Sequence, residues 1–454
     1  MAKNIDMTTG SPFKKIFAFA LPVAIGYILQ NFYSLGDSIV VSLARGENAV
    51  TGINVTTSLI FLVNGFAQGI SAGFGIVLSQ FVGAKNKDKM RKSVGTSLLL
   101  TLFISILLSI SFFMLAPTIL KALNTNELFY DYALSYIRII FAGILFMSLY
   151  NLADQILRAL GDGKSPLIIL TICSTLNLLL NSLLFITDLS VSWAGWATVI
   201  SQAISASVGF IIIFKKFPEL KLKKDDFKLN LNFINRHLAT GLPMAFQFTI
   251  TAVSCMIQQK AFNSLSSPDF AKAQGTGSKL DSLFSSALFG SSNAMAIYCG
   301  QNFGANKLDR VKTGVKSACV IGLIFSAFCF FANLIFCKPL AKILLFGASE
   351  NTLKLIFQYT FVQSIFYYSL YVLLILRQGL QGMGKSALTI VGGIVELIMR
   401  CVAAFVLANL FGYNGACFSN VLAWFGGMVT FTICYLVVIK QLEKKALTGN
   451  IFTE

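Results

Sequence analysis

Weakly charged apolar runs recur along the chain at 16–44, 53–84, 93–120, 165–187, 192–214, 314–337 and 386–411. Each is long enough to cross about 30 Å of hydrocarbon at about 1.5 Å per residue. Further runs at 132–157, 239–264, 275–299, 357–380 and 414–440 bring the predicted total to twelve transmembrane helices, with no stretch left for a large soluble domain. The first run is longer than a signal-peptide core and has no convincing cleavage site, so it reads as a retained helix.

The pattern repeats. Leu21-Pro22 returns as Leu242-Pro243, QFVGAKNKD at 80–88 returns as QNFGANKLD at 301–309, and GKS at 163–165 returns as GKS at 384–386, each displaced by 221 positions. The fold class expected is therefore an all-α polytopic membrane protein with twelve helices in two six-helix repeats. Because six is even, both repeats start on the same side, and a pseudo-two-fold along the membrane normal should relate them. The expected organisation is an N-terminal lobe at 1–214, a cytoplasmic linker at 215–236 and a C-terminal lobe at 237–454.

Composition agrees with a membrane as solvent: 56% of residues are apolar, 12% are charged and the mean hydropathy is +0.74. The net charge of +17 changes the picture only through its placement. Lys14 and Lys15, the 85–92 cluster, the 215–236 segment, the 307–316 cluster and Lys440 to Lys445 alternate with loops poor in Lys and Arg. This is the positive-inside bias, which puts both termini and the linker in the cytoplasm and makes nucleic acid an unneeded partner. The nine cysteines are scattered singly, without metal or redox spacing, and read as small packing residues.

GLQGMGKS at 379–386 fits the phosphate-loop pattern, but that pattern has a mechanism only between a strand and a helix. Here it falls between two predicted membrane helices, and its counterpart RALGDGKS lacks the leading glycine. We expect a helix end in a left-handed cap and no nucleotide partner. The single histidine, His237, lies at the end of the linker, no H-E-x-x-H or serine–histidine–acid set is present, and no enzyme activity or cofactor is expected.

Candidate chemistry begins with Asp37. A carboxylate inside a membrane helix costs roughly 2.5–3.5 kcal/mol on insertion scales, and such groups face a cavity or a partner. Gln30, Asn31, Ser34, Asp37 and Ser38 form a polar stripe at helical spacing. Desolvation raises a carboxyl pKa and a nearby cation lowers it, so this group can exchange a proton for another cation. Gln68, Gln247, Lys279 and Asp281 are further candidates for a substrate cavity. Glu396 and Arg400, at i, i+4, suit a structural ion pair.

The stretches SQFVGAKNKDKMRKSV, GQNFGANKLDRVKTGV, LPVAIGYILQNFYSLGDSIV and ILRALGDGKSP resemble the multidrug and toxic compound extrusion (MATE) family, in order over nearly the whole chain. The resemblance implies a secondary exporter of amphipathic, often cationic compounds, driven by H⁺ or Na⁺ re-entry and working by alternating access. It also implies a coupling site that joins Asp37 to Asn177 and Asn181 on helix 5 and Thr198 on helix 6. Many relatives carry Asp where this chain has Asn181, which leaves a single clear carboxylate, although amide and hydroxyl oxygens still suit Na⁺. Asp37 corresponds to Gln258 in the second half, so the two lobes are not expected to be functional duplicates. The expected setting is a monomer in a bacterial cytoplasmic membrane, with a small amphipathic molecule and the lipid bilayer as partners. A lipid-linked oligosaccharide flippase of related two-lobe fold is the alternative reading.

Overall fold

The computed structural model describes residues 5–45, 47–122, 125–185, 187, 190, 192–228, 230–265, 267–345, 348–449 and 451–452, and the side chains of these except 32–45, 47–52, 54 and 268. Among them the α-helices are α1 (Pro12–Arg45), α2 (Glu47–Gly83), α3 (Lys87–Ala122), α4 (Glu127–Ala142), α5 (Ile144–Ala159), α6 (Lys164–Ser182) and α7 (Ser192–Lys216). They continue with α8 (Leu231–Asn263), α9 (Pro268–Gly304), α10 (Leu308–Leu344), α11 (Glu350–Ile365), α12 (Tyr367–Gly382), α13 (Ala387–Val402), α14 (Ala408–Cys417) and α15 (Ser419–Thr448). No strand occurs among the described residues.

Among the described residues nine helical segments are long and apolar enough to cross a membrane, and the bent pairs α4–α5 and α11–α12, each angled by 50°, raise the number to eleven. The predicted span at 275–299 is the one outside this set. It lies in α9, which at 37 residues has ample length but carries many polar side chains between Gln274 and Asn302. The helices also outrun the apolar runs. The run at 93–120 becomes a helix from Lys87 to Ala122, because its basic first turns continue the helix into the interfacial zone.

Residues 29–248 form one compact unit, and residues 5–28 with 249–454 form another. α1 thus starts in the second unit and α8 in the first. In the first unit α2 packs on α3, α4 and α5, while α7 packs on α4, α5 and α6. Its core joins Val63 and Ala67 to Leu120, Ile137, Phe141 and Ile144. In the second unit α9 packs on α10, α11 and α12, and α15 on α12 and α13. Lipid is as apolar as leucine, so helix association in a membrane relies on close packing, and small residues permit it. A Cβ on Gly69 of α2 would stand 2.6 Å from the Ala245 backbone of α8, and one on Gly73 would stand 2.3 Å from Gly241. The repeat-related contact occurs inside the second unit, where a Cβ on Gly290 of α9 would stand 2.6 Å from Ala24 of α1.

The segment expected as a linker is folded onto the first unit. Arg91 Nε donates to Asp226 Oδ2 at 2.6 Å, and Asp226 Oδ2 also accepts the Lys223 amide at 2.7 Å. His237 is not a linker residue but a fully buried member of α8. Its Nδ1 donates to the Phe233 carbonyl at 2.7 Å, and its Nε2 lies 2.9 Å from Ser93 Oγ. A neutral imidazole satisfied at both nitrogens is a packing residue.

Candidate functional site

α6 is an apolar helix interrupted by two amides on one face. Asn177 and Asn181 are buried, and their i, i+4 spacing lets Asn181 Nδ2 donate to Asn177 Oδ1 at 2.9 Å. Asn177 Nδ2 in turn donates to Thr198 Oγ1 of α7 at 3.1 Å, and Thr198 donates to the Ala194 carbonyl at 3.0 Å. The register of α6 against α7 is held by Trp193, whose Nε1 donates to the Leu180 carbonyl at 2.7 Å. The three residues predicted from sequence therefore form one directional chain across two helices. Their oxygens are neutral, hard donors, the class of ligand that Na⁺ accepts. Asp37 and Ser34 lie in α1, and their side chains are outside the described residues. Gln30 is exposed, Asn31 and Gln68 are half-buried and Gln247 is buried; Gln30 and Gln68 take no part in the Asn181–Asn177–Thr198 chain.

In the second unit Asp281 of α9 is buried and accepts the Tyr367 hydroxyl of α12 at 2.8 Å, whereas Lys279 is exposed. The pairing expected between Glu396 and Arg400 is replaced by another. Glu396 has Arg377 Nη1 of α12 at 4.0 Å, while Arg400 Nη1 donates to Ser254 Oγ of α8 at 2.6 Å. Spacing on one helix puts Glu396 and Arg400 on the same face, but buried side chains on a membrane helix turn toward neighbouring helices, and here the neighbours differ. Sequence reading missed Arg377 and Tyr367. Arg377 carried a signal, since it is a lone charge in the apolar run 357–380 and falls under the rule that singled out Asp37. Tyr367 carried none, being one aromatic among many.

The repeated turns are helix caps. At GLQGMGKS, Gly384 adopts φ +74°, its amide bonds to the Gln381 carbonyl at 2.8 Å, and the Lys385 amide bonds to the Leu380 carbonyl at 2.9 Å. This is the Schellman arrangement, which uses the amides that a phosphate loop would offer to its ligand. Gly161, Lys85 and Asn306 close α5, α2 and α9 with the same pair of bonds. The displacement between Lys85 and Asn306 is 221 residues, but between Gly161 and Gly384 it is 223. The two GKS strings are thus out of structural register by two, and Lys385 is the counterpart of Asp162. Asp162 is buried, accepts from Lys216 Nζ and from Ser165 Oγ, each at 2.6 Å, and receives the amides of Ser165 at 3.1 Å and Lys164 at 3.2 Å. Burial pushes its carboxyl upward, but the bonds from Lys216 and Ser165 outweigh this and hold it below its ordinary value.

Helices long enough to span a bilayer, paired through buried polar side chains and small-residue crossings, define an integral membrane protein. The chain belongs to the MatE family, whose model matches residues 22–183 and again 243–406. These two matches start 221 residues apart and end 223 apart, as the helix caps do. The chain is 26% identical over 314 residues to the probable multidrug resistance protein YoeA of Bacillus subtilis, covering 67% of this chain and 68% of that one. It is 24% identical over 391 residues to the FAD transporter of Shewanella oneidensis, covering 84% of each. Its fold is similar to that of a solved outward-facing multidrug resistance MATE family transporter of the MOP superfamily, with a TM-score of 0.91 at 18% identity over 98% of this chain and 99% of that one.

Proposed function

We propose that this chain is a cation-coupled exporter of small amphipathic molecules, working by alternating access with H⁺ or Na⁺ as the coupling ion. The observation that carries the reading is the Asn181–Asn177–Thr198 chain on α6 and α7, with both amides buried and Thr198 half-buried, an oxygen-bearing site in the apolar part of two membrane helices. Asp37 is assigned the exchangeable charge beside it, because a membrane carboxylate alone can gain and lose charge where amides cannot. The multidrug resistance names of the relatives support an amphipathic cargo, for which we assign cationic compounds as the main class. Both termini and the 215–236 segment are assigned to the cytoplasm from the basic clusters, and Lys223→Cys should be blocked by an impermeant thiol reagent only in inverted vesicles.

One observation favours a second reading, cargo with an anionic group such as a lipid-linked pyrophosphate. Arg377 and Arg400 are both buried around Glu396, a local excess of guanidinium at that carboxylate, although Asp281 is a second buried carboxylate in the same unit. Purified protein in vesicles separates the two. Gradient-driven uptake of a fluorescent cation, under Na⁺, pH or no gradient in turn, is expected for the first reading. Uptake of an anionic probe alone would favour the second, and uptake independent of either gradient would contradict cation coupling.

A further inference from the structure

The exposed apolar side of α7 ends in a groove that the transport reading does not use. Trp196, Ile204 and Ile211 are exposed at spacings of eight and seven residues, about two turns each, and so form one apolar stripe along the helix. Near the end of α7 this stripe opens into a groove of about 550 Å³ lined by Phe210, Ile211, Phe214, Lys215, Pro218 and Lys221. That volume is within the range of small-molecule sites, roughly 300–1,000 Å³. The rings of Phe210 and Phe214 stack at 6.2 Å with 22° between their planes and make one flat apolar wall. Lys215 follows Ile211 by one turn, on the same face, and Lys221 comes from the segment after the short helix Pro218–Leu220.

The two lysines differ from their neighbour. Lys216 turns inward to Asp162 at 2.6 Å and fixes the end of α7 against the α5–α6 turn. Lys215 and Lys221 are exposed, and among the described residues no carboxylate lies within 4 Å of either ammonium. A membrane helix that ends in unpaired ammonium groups above an aromatic wall places positive charge where hydrocarbon gives way to headgroups. We propose that this groove binds an anionic phospholipid, with the phosphate between Lys215 and Lys221 and an acyl chain along Phe210, Phe214 and Ile211. The continuity of the groove with the apolar stripe and its charge favour a lipid over a free phosphate, which would gain nothing from the aromatic wall.

Native mass spectrometry of the full chain, released from detergent with dioleoyl phosphatidylglycerol or dioleoyl phosphatidylcholine, tests this. The wild type should retain phosphatidylglycerol preferentially. Lys215→Gln with Lys221→Gln should weaken that retention about thirtyfold while leaving phosphatidylcholine unchanged, given the usual contribution of a basic residue near an anionic surface. Lys215→Arg with Lys221→Arg should retain the lipid, and Lys444→Gln with Lys445→Gln should match the wild type. If the Gln pair is not monodisperse, the wild-type background supplies a second reading: a tryptophan placed by Ile211→Trp should be quenched by brominated phosphatidylglycerol beyond the quenching of the native tryptophans. Retention within twofold of wild type in the Gln pair, equal loss in the Lys444 and Lys445 control, or competition by sn-glycerol 3-phosphate at the same concentration as the lipid would each overturn the proposal.

Discussion

Asp162→Asn removes the charge that anchors the end of α7 while keeping an acceptor for the amides of Lys164 and Ser165. The size of the effect follows from the exposure of the two partners. The Asp162 side chain is 3% exposed and that of Lys216 is 24% exposed, so the lysine can turn partly to water when its partner is neutral and the carboxylate cannot do so in reverse. The loss therefore lies between the median of a surface pair, about 0–1 kcal/mol, and the roughly 3–5 kcal/mol of breaking a buried one. We expect about 1–2 kcal/mol of coupling in a double-mutant cycle with Lys216→Met, measured by denaturant titration in detergent with tryptophan fluorescence. The pH arm is independent. The folded carboxyl is held below the ordinary value of 3.8, so its contribution is complete above that value and is lost as pH falls through the lowered one. The difference between wild type and Asp162→Asn should be flat from pH 8 to 5 and shrink below pH 4. A coupling under about 0.3 kcal/mol, or a difference that persists unchanged at pH 3, would refute the assignment.

Two further outcomes concern packing and the second unit. Gly73→Leu should prevent stable assembly of α2 on α8, since even a Cβ there meets Gly241 backbone at 2.3 Å, whereas Gly275→Ala has open space and should purify like the wild type; size-exclusion profiles in detergent compare them. A double-mutant cycle of Glu396→Gln with Arg377→Gln should show a larger coupling than Glu396→Gln with Arg400→Gln, read by the same denaturant titration, because only Arg377 lies within 4 Å of the carboxylate. Equal couplings would restore the same-helix pair.

Where the sequence was legible, one physical rule acted at a time. Hydrocarbon thickness set the length of the apolar runs, and the helices follow them, with ends extended where basic first turns such as Lys87 to Arg91 remain helical at the interface. The i, i+4 spacing on α6 placed Asn177 and Asn181 together, and the family resemblance supplied Thr198. The left-handed caps were legible because glycine after a helix takes positive φ without steric cost, although Lys85 and Asn306 take the same conformation with no glycine to mark it. Pairing between helices was not legible. Glu396 could have met Arg400 or Arg377 by spacing and hydropathy alike, and only the placement of α12 and α8 decides it. The two-residue change of register between the halves was hidden for a related reason. The identical GKS strings stand at a displacement of 221, while the turns that contain them are displaced by 223. Burial of His237 was likewise hidden, because a single polar residue at the end of a basic segment gives no sign of the helix packed over it.

The proposed coupling rests on a charge gained and lost at Asp37, acting together with Asn177, Asn181 and Thr198. Its most direct measurement is gradient-driven uptake of a fluorescent cation into vesicles by Asp37→Asn, with Gln258→Asn at the repeat-related position as control. Asn keeps the size and hydrogen bonding of Asp37 but fixes the group as neutral, and removal of a membrane carboxylate lowers the insertion cost, so the variant should insert normally. Uptake in Asp37→Asn should fall to the level seen without a gradient, while Gln258→Asn should stay within about twofold of wild type. Coupled uptake by Asp37→Asn near the wild-type rate, from protein inserted in equal amount, would contradict the proposed coupling and move its site to Asp281 or Glu396.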